Sequence, residues 1–166
     1  MGVTDSRVAG RITEGIVMTD KMSIAIAAGG TAGHVNPALA LADELASRGH
    51  DVRFFGETRR LEGKLVPEAG FDFFPVEVTG FDRARPWTLI TALAHLSREE
   101  RRLVRTFKQN PALKPDVAIG FGAYVELPLV RAAAKLGIPV VLHEQNSVPG
   151  IANKQSAKIA RLVAIG

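Results

Sequence analysis

Ser23-Ile-Ala-Ile-Ala-Ala-Gly-Gly-Thr-Ala-Gly-His-Val-Asn-Pro37 is the stretch on which the reading of the whole chain turns. Ser23 to Ala28 has the small, apolar texture of a buried strand, and Gly29 to His34 follows as a loop. Asn36 then offers an N-cap and Pro37 a first helical position, so a helix is expected to start there and to stop at Gly49. A strand, a glycine-rich turn and a helix in that order make the opening of a parallel α/β unit.

The pattern repeats outward from that unit. Asp51 to Phe55 reads as a second strand, Leu61 to Ala69 as a short helix closed by Gly70, and Phe71 to Val78 as a third extended stretch interrupted by Pro75. Leu89, Leu93, Leu96, Leu103 and Phe107 line one helical face, with Ile90 and Val104 beside it. Within that helix Ser97-Arg-Glu-Glu100 has the form of a capping box, which predicts a possible break. Val117 to Gly120 is a fourth strand, Leu127 to Leu136 a helix ended by Gly137, and Pro139 to His143 a fifth strand. A helix near Asn153 to Ala160 and a last strand at Leu162 to Ala164 complete the series. The expected fold is α/β, a Rossmann-like doubly wound parallel sheet with right-handed crossovers. Residues 1–21 read as a loose leader with alternative starts at Met18 and Met22, and 22–166 as one domain; the stop at Gly166, on a strand end, suggests a longer protein.

Composition narrows the function classes. The 166 residues contain no cysteine, which excludes a disulfide scaffold and any thiolate metal site, and folding a chain of this size buries roughly 70% of its surface. The apolar runs are far shorter than the roughly 18 residues of a spanning helix. The formal charge of +4 is concentrated: seven basic residues between Arg83 and Lys108 face two acids there, a local +5 that leaves −1 for the remainder. With aromatics at 6% and no nucleic-acid module in view, no nucleic-acid partner is expected.

In an open α/β sheet a ligand sits beyond the carboxyl ends of the strands, so three loops carry the chemistry. Gly29-Gly30-Thr31-Ala32-Gly33-His34 joins a strand to a helix start, where bare N–H groups attract anionic oxygen and glycines permit close approach of a phosphate. A plain tight turn is the alternative. Gly120-Phe121-Gly122-Ala123-Tyr124 repeats the idea and adds a phenol. His143-Glu144-Gln145-Asn146-Ser147 places five polar side chains directly after a strand. His34 and His143 follow strands in this way, while His50 and His95 do not, and imidazole is the side chain suited to moving protons near neutral pH. A capping role for His34 and a buried structural role for His143 remain open. No metal-ligand spacing, G-x-S-x-G elbow or completed P-loop is present.

Gly29-Gly-Thr-Ala-Gly-His-Val-Asn-Pro37, Gly120-Phe-Gly-Ala-Tyr124 and His143-Glu-Gln-Asn146 together resemble the MurG family of peptidoglycan glycosyltransferases, over about Met22 to Gly166. Ala32 and Ala123 stand where glycines are common in that family. The resemblance implies the amino-terminal, acceptor-binding half of a GT-B protein with two Rossmann-like domains. It further implies inverting transfer of N-acetylglucosamine from UDP-N-acetylglucosamine to undecaprenyl-diphosphate-linked N-acetylmuramoyl-pentapeptide, turning lipid I into lipid II, with no metal and no cofactor. Thr31, Ala32, Gly33 and Asn146 would contact the donor; Gly29, Gly30, Gly122, Ala123, Tyr124 and Gln145 would contact the acceptor. His34 would be the base, with Glu144 as second candidate. A lipid-linked acceptor also implies an anionic membrane surface as partner, at the cytoplasmic face of the cell membrane, met by Phe81, Arg83, Arg85, Trp87, Leu89, Ile90 and Leu93. An ordinary core helix with a solvated basic face is the alternative for that segment.

Two other readings compete. Gly30, Gly33 and Glu57 have dinucleotide-fingerprint spacing, with Arg59 and Arg60 beside a possible 2′-phosphate, which would make an NAD(P)-dependent oxidoreductase; Ala28 in the first glycine position speaks against it. A non-catalytic polyprenyl-diphosphate binding module is the other.

Overall fold

Strand β1 (Ser23–Ala27) alternates its side chains between two buried faces, and this alternation organises the molecule. The structure, a computed structural model, describes residues 21–80, 84–85, 87–146 and 150–165. Ile24 and Ile26 pack on one face of the sheet with Phe54, Ala38, Ala42 and Val66, while Ala25 and Ala27 pack on the other with Phe55, Leu103, Phe107, Leu129 and Leu142. Both faces are therefore covered, as a parallel sheet requires.

Six parallel strands lie in the order β3-β2-β1-β4-β5-β6. The others are β2 (Asp51–Gly56), β3 (Asp72–Pro75), β4 (Val117–Gly120), β5 (Val140–Glu144) and β6 (Leu162–Ile165). Helices α1 (Ala32–Ser47) and α2 (Leu61–Glu68) contribute to the first core; α3 (Thr88–Gln109) and α4 (Glu126–Lys135) contribute to the second. A short 3-10 turn at Pro111–Leu113 precedes β4, and α5 (Ile151–Ser156) joins Leu96 and Leu127 through Ala152. Strand order reverses between β1 and β4, whose register pairs Ala27 with Gly120. The expected Rossmann-like architecture is thus observed, with its crevice at the β1/β4 boundary. At the far edge, β6 leaves Leu162, Val163 and Ile165 exposed.

Two local expectations are corrected. Helix α1 starts at Ala32, ahead of the expected Asn36, because Gly30 turns the chain at φ +86° and extended Thr31 becomes the N-cap. Pro37 lies inside the helix, where its missing N–H leaves the Gly33 carbonyl without the usual donor. The possible break at Ser97 does not occur. Glu99 accepts from Arg102 and from the Glu77 N–H, and buried Glu100 pairs with Arg131 and Lys135 of α4, so neither glutamate caps a new helix. Leu96, Leu103 and Phe107 stay buried on one continuous face.

Candidate active site

The register of β1 with β4 brings the first two turns side by side. A Cβ placed on Gly30 would lie 3.9 Å from the Ala123 methyl, and one on Gly122 would lie 3.1 Å from His34 Nε2. His34 is half-buried in the first turn of α1, and its Nδ1 is 2.9 Å from Thr31 Oγ1. When the proton sits on Nδ1 and is donated to Thr31, the Nε2 lone pair faces the second turn. Ala32 and Gly33 occupy the first turn of the helix, whose leading amides have no intrahelical partner. Thr31, Ala32 and Gly33 are all exposed.

Each turn rests on a buried carboxylate. Glu62, 1% exposed, accepts the Gly30 N–H at 3.1 Å and the Glu57 N–H at 3.2 Å. Glu126, 0% exposed, accepts the Gly122 N–H at 2.6 Å and the Ser156 hydroxyl at 2.9 Å. Glu144 accepts from the Asn146 backbone and side chain, both at 2.9 Å, from Asn153 at 2.8 Å and from the Gly150 N–H at 3.1 Å. Burial pushes the Glu126 carboxyl up to about 7 against the opposing pull of Gly122 and Ser156, with Glu144 adding a further push upward. Burial also pushes Glu144 upward, but hydrogen bonds from Asn153, Asn146 and Gly150 outweigh it and hold this carboxyl below its ordinary value.

These carboxylates give the glycines a second purpose. A Cβ on Gly29 would collide with the Glu62 carboxylate, and one on Gly120 would sit 2.5 Å from Glu126 Oε2. Gly122 is needed for its φ of +95°, whereas Ala123 holds a left-handed φ of +67° without being glycine. Gly33 meets only Thr31 Oγ1, at 3.7 Å. Nothing among the described residues requires a glycine there.

The third turn is less enclosed. Asn146 and Tyr124 are exposed, while the Gln145 amide is buried with neither its nitrogen nor its oxygen hydrogen-bonded among the described residues. His143 stacks on Phe121 at 5.1 Å, with Nδ1 buried and without a partner among the described residues. Ser147 lies outside the described residues. Between the turns a cavity of about 200 Å³ is lined by Gly30, Glu57, Arg60, Ala123 and Tyr124. Beside Tyr124 a groove of about 190 Å³ runs between Val78, Leu89, Leu93, Leu96 and Leu127.

Of the membrane-facing candidates, Trp87 is 65% exposed and Ile90 75%, with Leu89, Leu93 and Arg85 exposed as well; Phe81 and Arg83 lie outside the described residues. No helix among the described residues is long and apolar enough to cross a membrane. Glu57, the acid of the dinucleotide alternative, is ion-paired with Arg60 at 3.1 Å.

The residues missed in the sequence are Glu62, Glu126, Asn153 and Ser156. Their one available signal is weak: Glu62 and Glu126 are acids in the first turn of a helix that follows a strand.

The family model described as Glycosyltransferase family 28 N-terminal domain matches residues 24–165. This chain belongs to that family. Membership in family 28 removes the oxidoreductase alternative. Among its curated relatives are proteins named UDP-N-acetylglucosamine--N-acetylmuramyl-(pentapeptide) pyrophosphoryl-undecaprenol N-acetylglucosamine transferase. The one from Halothermothrix orenii (strain H 168 / OCM 544 / DSM 9562) is 41% identical over 147 residues, covering 87% of this chain and 38% of the relative. That from Exiguobacterium sp. (strain ATCC BAA-1283 / AT1b) is 42% identical over 146 residues, covering 87% and 40%. The crystal structure of MurG from Acinetobacter baumannii aligns with a TM-score of 0.73 at 34% identity, over 88% of this chain and 41% of that one. The chain thus spans about 40% of the length of these family 28 relatives. A kitacinnamycin glycotransferase, at 21% identity and a TM-score of 0.58, shares the fold.

Proposed function

We propose that this domain holds the acceptor side of an inverting transfer of N-acetylglucosamine from UDP-N-acetylglucosamine to undecaprenyl-diphosphate-linked N-acetylmuramoyl-pentapeptide. The observation that carries the proposal is the convergence of the Gly30 and Gly122 turns at the β1/β4 crevice with His34 between them. The relatives' names supply the identity of the substrates. In this reading Gly29, Gly30, Gly122 and Ala123 border the acceptor diphosphate, and Tyr124 and Gln145 orient the acceptor. The Gln145 amide, which has no partner among the described residues, supports such a role, since an unsatisfied buried polar group costs about 1–3 kcal/mol until a partner arrives. Thr31, Ala32, Gly33 and Asn146 border the donor, with most of the UDP held by a second domain of the GT-B kind.

His34 Nε2 takes the proton of the acceptor hydroxyl as its oxygen bonds to the anomeric carbon. The bond from that carbon to the UDP oxygen breaks, UDP leaves with the electron pair, and the configuration inverts. Glu144 is 2% exposed and already accepts four hydrogen bonds, so its role in the proposal is to hold Asn146 and not to receive the acceptor's proton. Resting on the cytoplasmic face of the membrane as a peripheral protein, the domain would present Trp87, Leu89, Ile90, Leu93 and Arg85 to anionic lipid. The apolar groove beside Tyr124 supports an acceptor that carries a lipid.

Nuclear magnetic resonance of this chain with a short-chain lipid I analogue tests the central proposal. Amide shifts concentrated at Gly30, Thr31, Gly122 and Ala123 are expected; shifts confined to other surfaces would overturn it. Sedimentation with liposomes tests the membrane part, where salt-sensitive binding to anionic vesicles is expected and equal binding to neutral ones would refute it.

A further inference from the structure

Helix α5 is gripped by two buried carboxylates that come from different turns of the site. Ser156 donates to Glu126 Oε1 at 2.9 Å, and three residues earlier Asn153 donates to Glu144 Oε2 at 2.8 Å. Glu126 Oε2 in turn accepts the Gly122 N–H, and Glu144 Oε1 accepts both Asn146 donors. Hydrogen bonds therefore link Gly122 through Glu126 to Ser156, and Asn146 through Glu144 to Asn153, while the α5 backbone joins Ser156 to Asn153. All four side chains between the two turns are nine-tenths or more buried.

We infer that Glu126 is a positioning residue which locks the Gly122–Tyr124 turn to the Asn146 turn through α5, and that protonation of Glu126 loosens this lock. An ionised carboxylate makes a charge-assisted bond to the Gly122 N–H; the neutral acid makes a weaker one and acquires a proton that itself needs an acceptor. The turn it holds carries Ala123 at φ +67°, a conformation that an alanine leaves readily once the restraint weakens. Glu126 opens α4, where unpaired amides favour the anion, and burial brings its proton equilibrium to about 7, within reach of neutral pH.

The charged neighbours agree with this assignment. From β5, Glu144 raises the cost of ionising Glu126. From α1, His34 reaches Gly122 with Nε2. His143 of β5 has its ring on Phe121, at the end of β4. From α3, Glu100 meets Arg131 and Lys135, further along α4. On α5, Lys154 is exposed. Among the described residues no cation pairs with Glu126. The inference rests on the functional reading only for what the two turns hold, and its test uses no substrate, so the two can fail separately.

The test is an amide titration of this chain by nuclear magnetic resonance between pH 5 and 9, roughly two units either side of neutrality. The Gly122 backbone amide and the Asn146 side-chain amide are expected to shift together with a common midpoint near 7. In Glu126→Gln the Gly122 shift should vanish. In Ser156→Ala, Gly122 should still titrate while Asn146 no longer follows it. Persistence of the Gly122 titration in Glu126→Gln would overturn the inference, as would an Asn146 response that still follows Gly122 in Ser156→Ala. Should Glu126→Gln fail to fold, the Ser156→Ala result decides by itself.

Discussion

The glycines at the carboxyl edge of this sheet fall into two regions with different reasons for being glycine. In the floor of the site, Gly29 and Gly120 make room for the carboxylates of Glu62 and Glu126, and no side chain fits while those glutamates stay in place. On the rim, Gly33 stands exposed at the start of α1 with only Thr31 Oγ1 nearby. The difference teaches that a glycine-rich motif is not one device. Part of it builds the scaffold, and part of it leaves space that the scaffold does not use.

The largest expected effect concerns the floor. Because the Glu126 carboxyl is raised in the folded protein to about 7 from an ordinary 4.5, the native state binds the extra proton between those values. Its contribution to stability is therefore full below about 4.5 and is lost as pH rises through about 7, by an amount on the order of 3 kcal/mol. Glu144 works oppositely: held below its ordinary value, it stabilises above that value and loses the contribution on acidification. Urea denaturation across this range should give a flatter profile for Glu126→Gln than for the parent; identical profiles would remove Glu126 from the floor's energetics.

Gly120→Ala comes next. Its Cβ would press on Glu126 Oε2 at 2.5 Å and Leu142 Cδ2 at 3.0 Å, so thermal unfolding should report a loss of about 2 kcal/mol. Ala123→Gly should have the opposite sign. Relief of the left-handed alanine stabilises by about 1 kcal/mol, offset in part by the freer unfolded chain. The smallest effect on stability is expected at the rim. Gly33→Ala should change it by less than about 1 kcal/mol, in the stabilising direction, because alanine is the better helix residue. If the rim glycine serves a ligand, the same variant should bind the lipid I analogue or UDP-N-acetylglucosamine more weakly, read by calorimetry. Unchanged binding would merge the two regions into one.

Much of the fold was legible in the sequence because its signals are local. Short apolar runs broken by Gly49, Gly70 and Gly137 marked units whose observed ends have those glycines at positive φ. The start of α1 was not legible, since Asn36-Pro37 imitates a helix start and only the turn at Gly30 decides otherwise. Continuity of α3 depended on Glu100 finding Arg131 and Lys135 about thirty residues away, a pairing that no local pattern announces. The same reason hid two of the carboxylates beneath the site, Glu62 and Glu126. Alone, an acid in the first turn of a helix reads as a solvated complement to the helix dipole, and only tertiary packing turns it inward. The three polar and glycine-rich loops were found by sequence because the strand-to-helix order places them; what supports them from below was not.

Strand β6 has a practical bearing that goes beyond the site. Leu162, Val163 and Ile165 lie exposed on a strand paired only with β5 among the described residues, whereas β3 at the opposite border, of the same length, ends in Pro75. A proline-terminated border resists templating by another polypeptide; an oily, unguarded one invites it. In solution the 166-residue chain should accordingly self-associate as concentration rises, and Val163→Lys is the economical remedy for handling it.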